Sequence, residues 1–316
     1  MTDGPVLSSS AMDASVSSKS SQAEWLGGCA RFVLHLRLTF NYVLAPLFVW
    51  GSFASGVLPD WRFWLGFAAF HVFLYGGTNM FNSYYDRDEG PIGGLEHPPP
   101  VDSGLLFGSL ALKIVGLALA FLVGVPFVVC YVLFMLYSVS YSHPAIRIKR
   151  RPVASAVTVF VGQGIVGFAA GWFASGGTLE ALAEPTALVA GLGGALLVSA
   201  IYPLTQIYQL EEDRRRSDMT LARWLGLDSS LRYSLILLSV GAACVGLVFW
   251  RKGFRLECGL LAVYFVGVLA YLWQLGQVVR ALDSRAIYRR IMRFNYVNSS
   301  VMLLVLGVTG GMLWQR

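Results

Sequence analysis

Residues 185–213 read PTALVAGLGGALLVSAIYPLTQIYQLEED. From Pro185 to Leu210 there is no Asp, Glu, Lys or Arg, and three carboxylates follow at once. A bilayer core of about 30 Å takes roughly 20 apolar residues in helix, so the stretch reads as one membrane-crossing helix with an acidic end. Residues 38–59, 63–85, 152–178, 233–250, 258–279 and 294–313 are likewise free of charge and long enough for one span each. Residues 103–146 carry one charge, Lys113, and are too long for one span; they divide at Gly124-Val125-Pro126. No strand-like alternation competes with these runs. The expected fold is therefore an all-α integral membrane protein, nine transmembrane helices in one bundle spanning residues 25–316.

Composition agrees. The chain of 316 residues is 56 % hydrophobic and only 13 % charged, about half the charge of a soluble protein. Soluble enzymes, disordered chains and coiled coils are excluded on that ground, and nothing points to nucleic acid. The four cysteines lie far apart in apolar runs, with neither zinc spacing nor a disulfide framework. Residues 1–24 hold eight serines and few large apolar residues, which predicts a disordered tail. With nine spans, 17 Lys and Arg fall on the side of the N-terminus and 5 on the other. The excess places the N-terminus in the cytoplasm, with a bacterial inner membrane as the expected location. Fourteen of the 18 acidic residues share the cytoplasmic side, which the positive-inside rule does not require.

Two acidic groups begin at helix ends four spans apart. In the first, Asn79, Asn82 and Asp86 stand at i, i+3 and i+7 on one helix face, with Asp88 and Glu89 beyond. Carboxylate and amide oxygens on one face suit a hard cation such as Mg²⁺, which binds through one or two carboxylates plus substrate phosphates. In the second, Gln206, Gln209 and Asp213 repeat the spacing, with Glu212 alongside. The match predicts two opposed metal sites on a shared cytoplasmic cavity. A third stretch, Tyr141-Ser-His-Pro-Ala-Ile-Arg147-Ile-Lys149-Arg-Arg151, offers hydroxyls and cations to phosphate oxygens, though a basic loop there also serves topology and anionic lipid.

These stretches resemble the UbiA superfamily of intramembrane prenyltransferases. Asn82 and Asp86 match the first two positions of its Asn-x-x-x-Asp signature; Gly90 stands where a further Asp is usual, leaving Asp88 or Glu89 to supply that carboxylate. This part is similar to the dihydroxynaphthoate prenyltransferases. Asp213-Arg214, followed by Thr220-Leu-Ala-Arg-Trp-Leu-Gly226, resembles the second signature, with Gln209 in its first Asp position and Glu212 compensating if it turns inward. Tyr141 to Lys149 is similar to a chlorophyll synthase stretch. Pro100-Val-Asp-Ser103-Gly104 resembles the opening of the third helix, without the arginine usual before it. The resemblance covers about residues 30–315 and leaves the subfamily open.

What the resemblance implies is Mg²⁺-dependent transfer of a prenyl group from a prenyl diphosphate to a hydrophobic acceptor, an aromatic quinone precursor being the expectation, within the membrane lipid. Asp86 and Asp213, with Asn82, would be catalytic; Asn82, Asp86, Asp88, Gln209, Glu212 and Asp213 would hold metal. Arg147, Lys149, Tyr141 and Arg214 would meet diphosphate. Arg37, at the entrance of the first span, either reaches diphosphate or snorkels to lipid. Lys113, an ionisable residue in a span, is an electrostatic partner for phosphate or acceptor by default. His71 reads as a packing histidine. Two rivals remain: a divergent member that cyclises or hydrolyses the prenyl chain, and a transporter or lipid-binding protein, which predicts polar groups at mid-membrane.

Overall fold

A computed structural model describes residues 27–315, so the expected N-terminal tail of residues 1–24 lies outside the described residues. The described chain is helical, apart from one isolated bridge between Ile92 and Leu95. In order, α1 covers residues 27–35, α2 Leu38–Ser55, α3 residues 61–86, α4 Gly104–Val123, α5 Val125–Ser142 and α6 Pro152–Ala174. Then follow α7 Pro185–Ile201, the short α8 Leu210–Arg215 and α9 Leu221–Leu225, α10 Leu227–Arg251, α11 Arg255–Val278 and α12 Ser284–Trp314.

Among the described residues, eight helices are long and apolar enough to cross a membrane. Helix α3, expected as the second span, is long enough but less apolar. Its second half carries Gly76, Gly77, Thr78, Asn79 and Asn82 where the other spans carry Leu, Val and Phe. The division of residues 103–146 falls at Gly124, whose φ of 145° ends α4 and lets α5 start with Pro126 in its first turn.

Helix α7 departs from expectation. It ends at Ile201, and two 3-10 turns, Pro203–Thr205 and Ile207–Gln209, lead into α8. Pro203 lacks the N–H an α-helix would use, and its ring opposes the carbonyl four residues back. Gln206, Gln209 and Asp213 are therefore not three points on one regular helix face. The first acidic group does lie on one helix, since α3 runs unbroken to Asp86, where Arg87 turns left-handed at φ 48°.

Helices α3 and α6 each contain a widened π-helical segment, Ala69–Leu74 and Val159–Val166. Such segments re-aim side chains inside a helix, and Val159, Gly162 and Gln163 of the second line the central cavity. Helices α2 and α6 cross at contact distance. A Cβ on Gly171 would sit 1.8 Å from the Phe48 carbonyl oxygen, and one on Gly51 would sit 2.1 Å from that of Phe168. Only glycine permits such an approach, which replaces hydrophobic drive as the packing force between helices in lipid. Two apolar clusters flank this crossing, one around Phe48, Phe70, Phe127 and Tyr131, the other around Trp50, Phe53 and Phe249.

Candidate functional site

A cavity of about 330 Å³ opens between these clusters. Its inner wall is apolar, with Leu47, Trp50, Phe134, Leu238 and Phe265. Its mouth is polar and brings together Asn82, Asp86 and Asp88 from the end of α3 with Gln209, Glu212 and Asp213 around α8. Tyr141, Lys149 and Arg37 join the same wall. Nine of the expected site residues thus meet at one place.

The cations sit on the carboxylates. Lys149 Nζ lies 2.6 Å from Asp86 Oδ1, and Arg147 Nη2 lies 3.9 Å from the same oxygen. Behind them, buried Asp218 accepts from Arg147 at 3.1 Å, pairs with Arg150, and lies 3.8 Å from Lys149. Burial works to raise the Asp218 carboxyl, but Lys149, Arg147 and Arg150 outweigh it and hold it below the usual range. Burial, and then the Asp86 charge, push Asp88 up to about 6 against the pull of Lys149 and Arg216.

The first-motif loop and the second-motif helix are tied to each other. Glu212 accepts the backbone N–H of Glu89 at 2.9 Å and of Gly90 at 3.1 Å. Gln209 donates to the Pro91 carbonyl at 3.1 Å. Arg216 spans both loops: it meets Asp88 at 2.7 Å, Glu212 at 2.5 Å, the Arg87 carbonyl at 2.7 Å and the Asp86 carbonyl. Thr220 donates to Asp213 Oδ2 at 2.8 Å and fixes that carboxylate. Ser142 donates to Asn82 Oδ1 at 2.6 Å, and the Tyr141 and Tyr202 hydroxyls meet at 2.8 Å.

Not every expected residue lines the cavity. Arg214 is exposed and off the cavity wall; the arginine that engages the acidic loops is Arg216. Its signal was its place four residues after Glu212, where a helical ion pair forms. Lys113 is buried but also off the wall. Its ammonium contacts Ser138 Oγ at 3.3 Å and lies 4.5 Å from the Phe81 ring centroid. Arg147 is not a wall residue, although its pairing keeps it beside Asp86. Glu212 faces the opposite loop, with both oxygens occupied by backbone N–H groups. Gln206 accepts the Ala222 N–H at 3.0 Å and so anchors α9. Arg37 points inward, donating to the Asn79 and Gly93 carbonyls at 3.2 and 3.5 Å, rather than out to lipid. His71 is a packing residue, stacked on Phe67 at 4.1 Å with Nδ1 3.1 Å from the Phe67 carbonyl.

The donor set fits a divalent cation in one form only. Among the described residues no three His, Cys, Asp or Glu groups converge as a self-sufficient metal site. Asp86, Asp88 and Asp213 are hard oxygen donors on one cavity wall, which suits a Mg²⁺ completed by water and substrate phosphates.

A family model described as the UbiA prenyltransferase family matches residues 43–298. Two curated relatives are lycopene elongase/hydratases, from Haloarcula japonica and Corynebacterium glutamicum. Each is 26 % identical, over 58 % and 59 % of this chain. The matched part spans 60 % and 66 % of their lengths, less than two thirds of each. The fold is shared with a UbiA homologue from Archaeoglobus fulgidus solved with GPP and Mg²⁺ (TM-score 0.64, 18 % identity, 90 % of this chain and 100 % of that one). The form of that homologue solved with DMAPP and Mg²⁺ gives a TM-score of 0.62 at 17 % identity, covering 87 % and 99 % of the two chains.

Proposed function

The chain belongs to the UbiA prenyltransferase family, and from that premise we propose that it moves a prenyl group from a prenyl diphosphate to a hydrophobic acceptor inside the membrane. One observation carries the reading: carboxylates from two distant helix ends, with Lys149 among them, form the polar mouth of an otherwise apolar cavity. An allylic diphosphate has the matching shape, a highly charged head and a long apolar tail.

Asp86 and Asp213, with Asn82 and Asp88 beside them, would hold Mg²⁺, which when bound would supply charge neutralisation for the departing diphosphate. Lys149, and Arg147 behind it, draw the phosphate oxygens to the mouth. The C1–O bond of the donor breaks, its electron pair leaves with the diphosphate, and an acceptor carbon attacks C1. A proton then leaves the acceptor. The apolar wall excludes the water that would otherwise capture the allylic cation. The chain takes its place as one domain of nine spans, counting α3, with the N-terminus and the cavity mouth at the cytoplasmic face of a bacterial inner membrane.

For the acceptor, the resemblance suggests an aromatic quinone precursor, whereas the names of the two curated relatives favour an unsaturated hydrocarbon such as lycopene. Purified protein is incubated with labelled prenyl diphosphate, Mg²⁺ and each acceptor class. Label is expected to enter an acceptor product only with Mg²⁺ present, and to stay out with Asp86→Asn or Asp213→Asn. Full turnover by both variants sinks the assignment. A cyclic terpene or free prenol formed without acceptor replaces transfer with cyclisation or hydrolysis.

A further inference from the structure

The last two helices pack mainly on the bundle and touch each other through three side-chain contacts, Tyr264 to Asn298, the Tyr271–Phe294 stack at 5.3 Å and the Tyr271 hydroxyl to the Arg290 carbonyl at 3.4 Å. Helix α11 lies on α10 and helix α12 on α2. Between α11 and α12 runs a groove of about 380 Å³, walled by Val263, Gly267, Val268 and Val297, with Tyr271 and Arg293 at one end. Its wall holds one cation and no carboxylate.

Above that end, α12 carries a stripe of cations. Arg285, Arg289 and Arg293 follow one another at four-residue spacing, with Arg290 beside them, and all four are exposed. Arg289 pairs with Glu96 at 2.8 Å. Arg285, Arg290 and Arg293 meet no carboxylate within ion-pair distance among the described residues. Helix α12 has 31 residues, about 46 Å at the usual rise, so it outruns a hydrocarbon core of about 30 Å. Its arginine-bearing first turns therefore sit at headgroup level, and the groove descends from them into the acyl region.

We propose that this groove is a binding site for an anionic phospholipid, its phosphate on Arg290 and Arg293 and one acyl chain along Val263, Gly267 and Val297. The groove shares Tyr264, Phe294 and Asn298 with the central cavity, so a prenyl diphosphate is the other source of the same chemistry. A wall with Arg293, Arg290 close by on the same helix and no carboxylate suits a phosphodiester. It does not match a diphosphate that arrives with a divalent metal.

The test uses the full chain in neutral detergent, with phosphatidylglycerol, phosphatidylcholine or geranylgeranyl diphosphate added. Phosphatidylglycerol is expected to raise the thermal midpoint by about 4 °C more than phosphatidylcholine does. That difference should vanish in R285Q/R290Q/R293Q, and also in Gly267→Leu, which keeps every charge. A Cβ on Gly267 meets nothing within 4 Å, so the leucine fills the groove without disturbing the fold. Equal shifts with the two phospholipids overturn the proposal, as does a difference that survives in either variant. A shift from geranylgeranyl diphosphate alone, lost in Gly267→Leu, assigns the groove to substrate and overturns it equally.

Discussion

Glu212 accepts the backbone N–H of Gly90 at 3.1 Å across 122 residues of chain, so the second acidic segment caps the loop that follows the first. The contact is tight. A Cβ at position 90 would lie 2.8 Å from Glu212 Oε2, so the carboxylate would have to shift and strain its bond from the Gly90 N–H. A hydrogen bond to a charged group contributes about 1.5–3 kcal/mol. Gly90→Ala should therefore lower kcat/KM for prenyl transfer by about 10- to 100-fold. Glu212→Gln should fall in the same range, because it also loses the Arg216 pair. Steady-state kinetics at saturating Mg²⁺ check both, and wild-type rates would mean that the clamp does not set the geometry of the mouth.

Asp218 offers a pH-dependent measurement. It is buried under Arg147, Lys149 and Arg150, whose charges hold its carboxyl below the ordinary value of 3.8. A carboxyl depressed on folding contributes stability that is present above its unfolded value and lost as pH falls through the folded one. Asp218→Asn should cost about 3 kcal/mol at neutral pH, since three cations lose their shared counter-charge. The gap between wild type and variant should stay constant from pH 8 to about pH 5 and narrow below about pH 4. Chemical unfolding across that range reads it; a gap that widens toward acid contradicts the assignment.

The α2–α6 crossing is rigid because the atoms facing its glycines are backbone. A methyl on Gly171 meets the Phe48 carbonyl at 1.8 Å, and no rotamer change relieves that. Overpacking a core usually costs about 1–3 kcal/mol, and here the helices themselves must part. Gly171→Ala should lower the thermal midpoint by about 5 °C or more, and Gly171→Leu should prevent recovery of monodisperse protein. Size-exclusion profiles and thermal unfolding check this, with Gly267→Leu as the control that should behave as wild type.

The sequence made one half of the mouth legible and not the other, for a reason visible at Pro203. Helix α3 keeps its period to Asp86, so counting i, i+3 and i+7 placed Asn79, Asn82 and Asp86 on one wall. The same count failed after Ile201, because the proline converts the next turns to 3-10 geometry. Gln206, Gln209, Glu212 and Asp213 all still border the cavity, but Gln206 is also held by the Ala222 N–H and Glu212 by the opposite loop. The ties between loops were invisible for another reason: every backbone N–H can donate to a carboxylate, so no residue type marks the partner of Glu212. Apolar runs predicted spans well, since burial in lipid selects for composition. They predicted α3 least well, since its polar face serves the cavity.

Lys113 separates a residue in the membrane from a residue in the site. The default reading of an ionisable group within a span is functional. Its ammonium nevertheless does not line the cavity: it sits one residue behind the wall, on Ser138 Oγ and the face of Phe81, in a setting 1 % exposed. Burying an amine there carries a desolvation cost that one neutral hydroxyl and a ring offset only in part. Lys113→Met has nearly the same length and removes that cost. The variant should keep its KM for prenyl diphosphate within about twofold and unfold at the wild-type temperature or higher. A KM raised about tenfold, which corresponds to about 1.4 kcal/mol of lost binding, would instead place Lys113 on the diphosphate. Kinetics and thermal unfolding of one variant decide between these, because a purely structural loss lowers stability and leaves KM where it was.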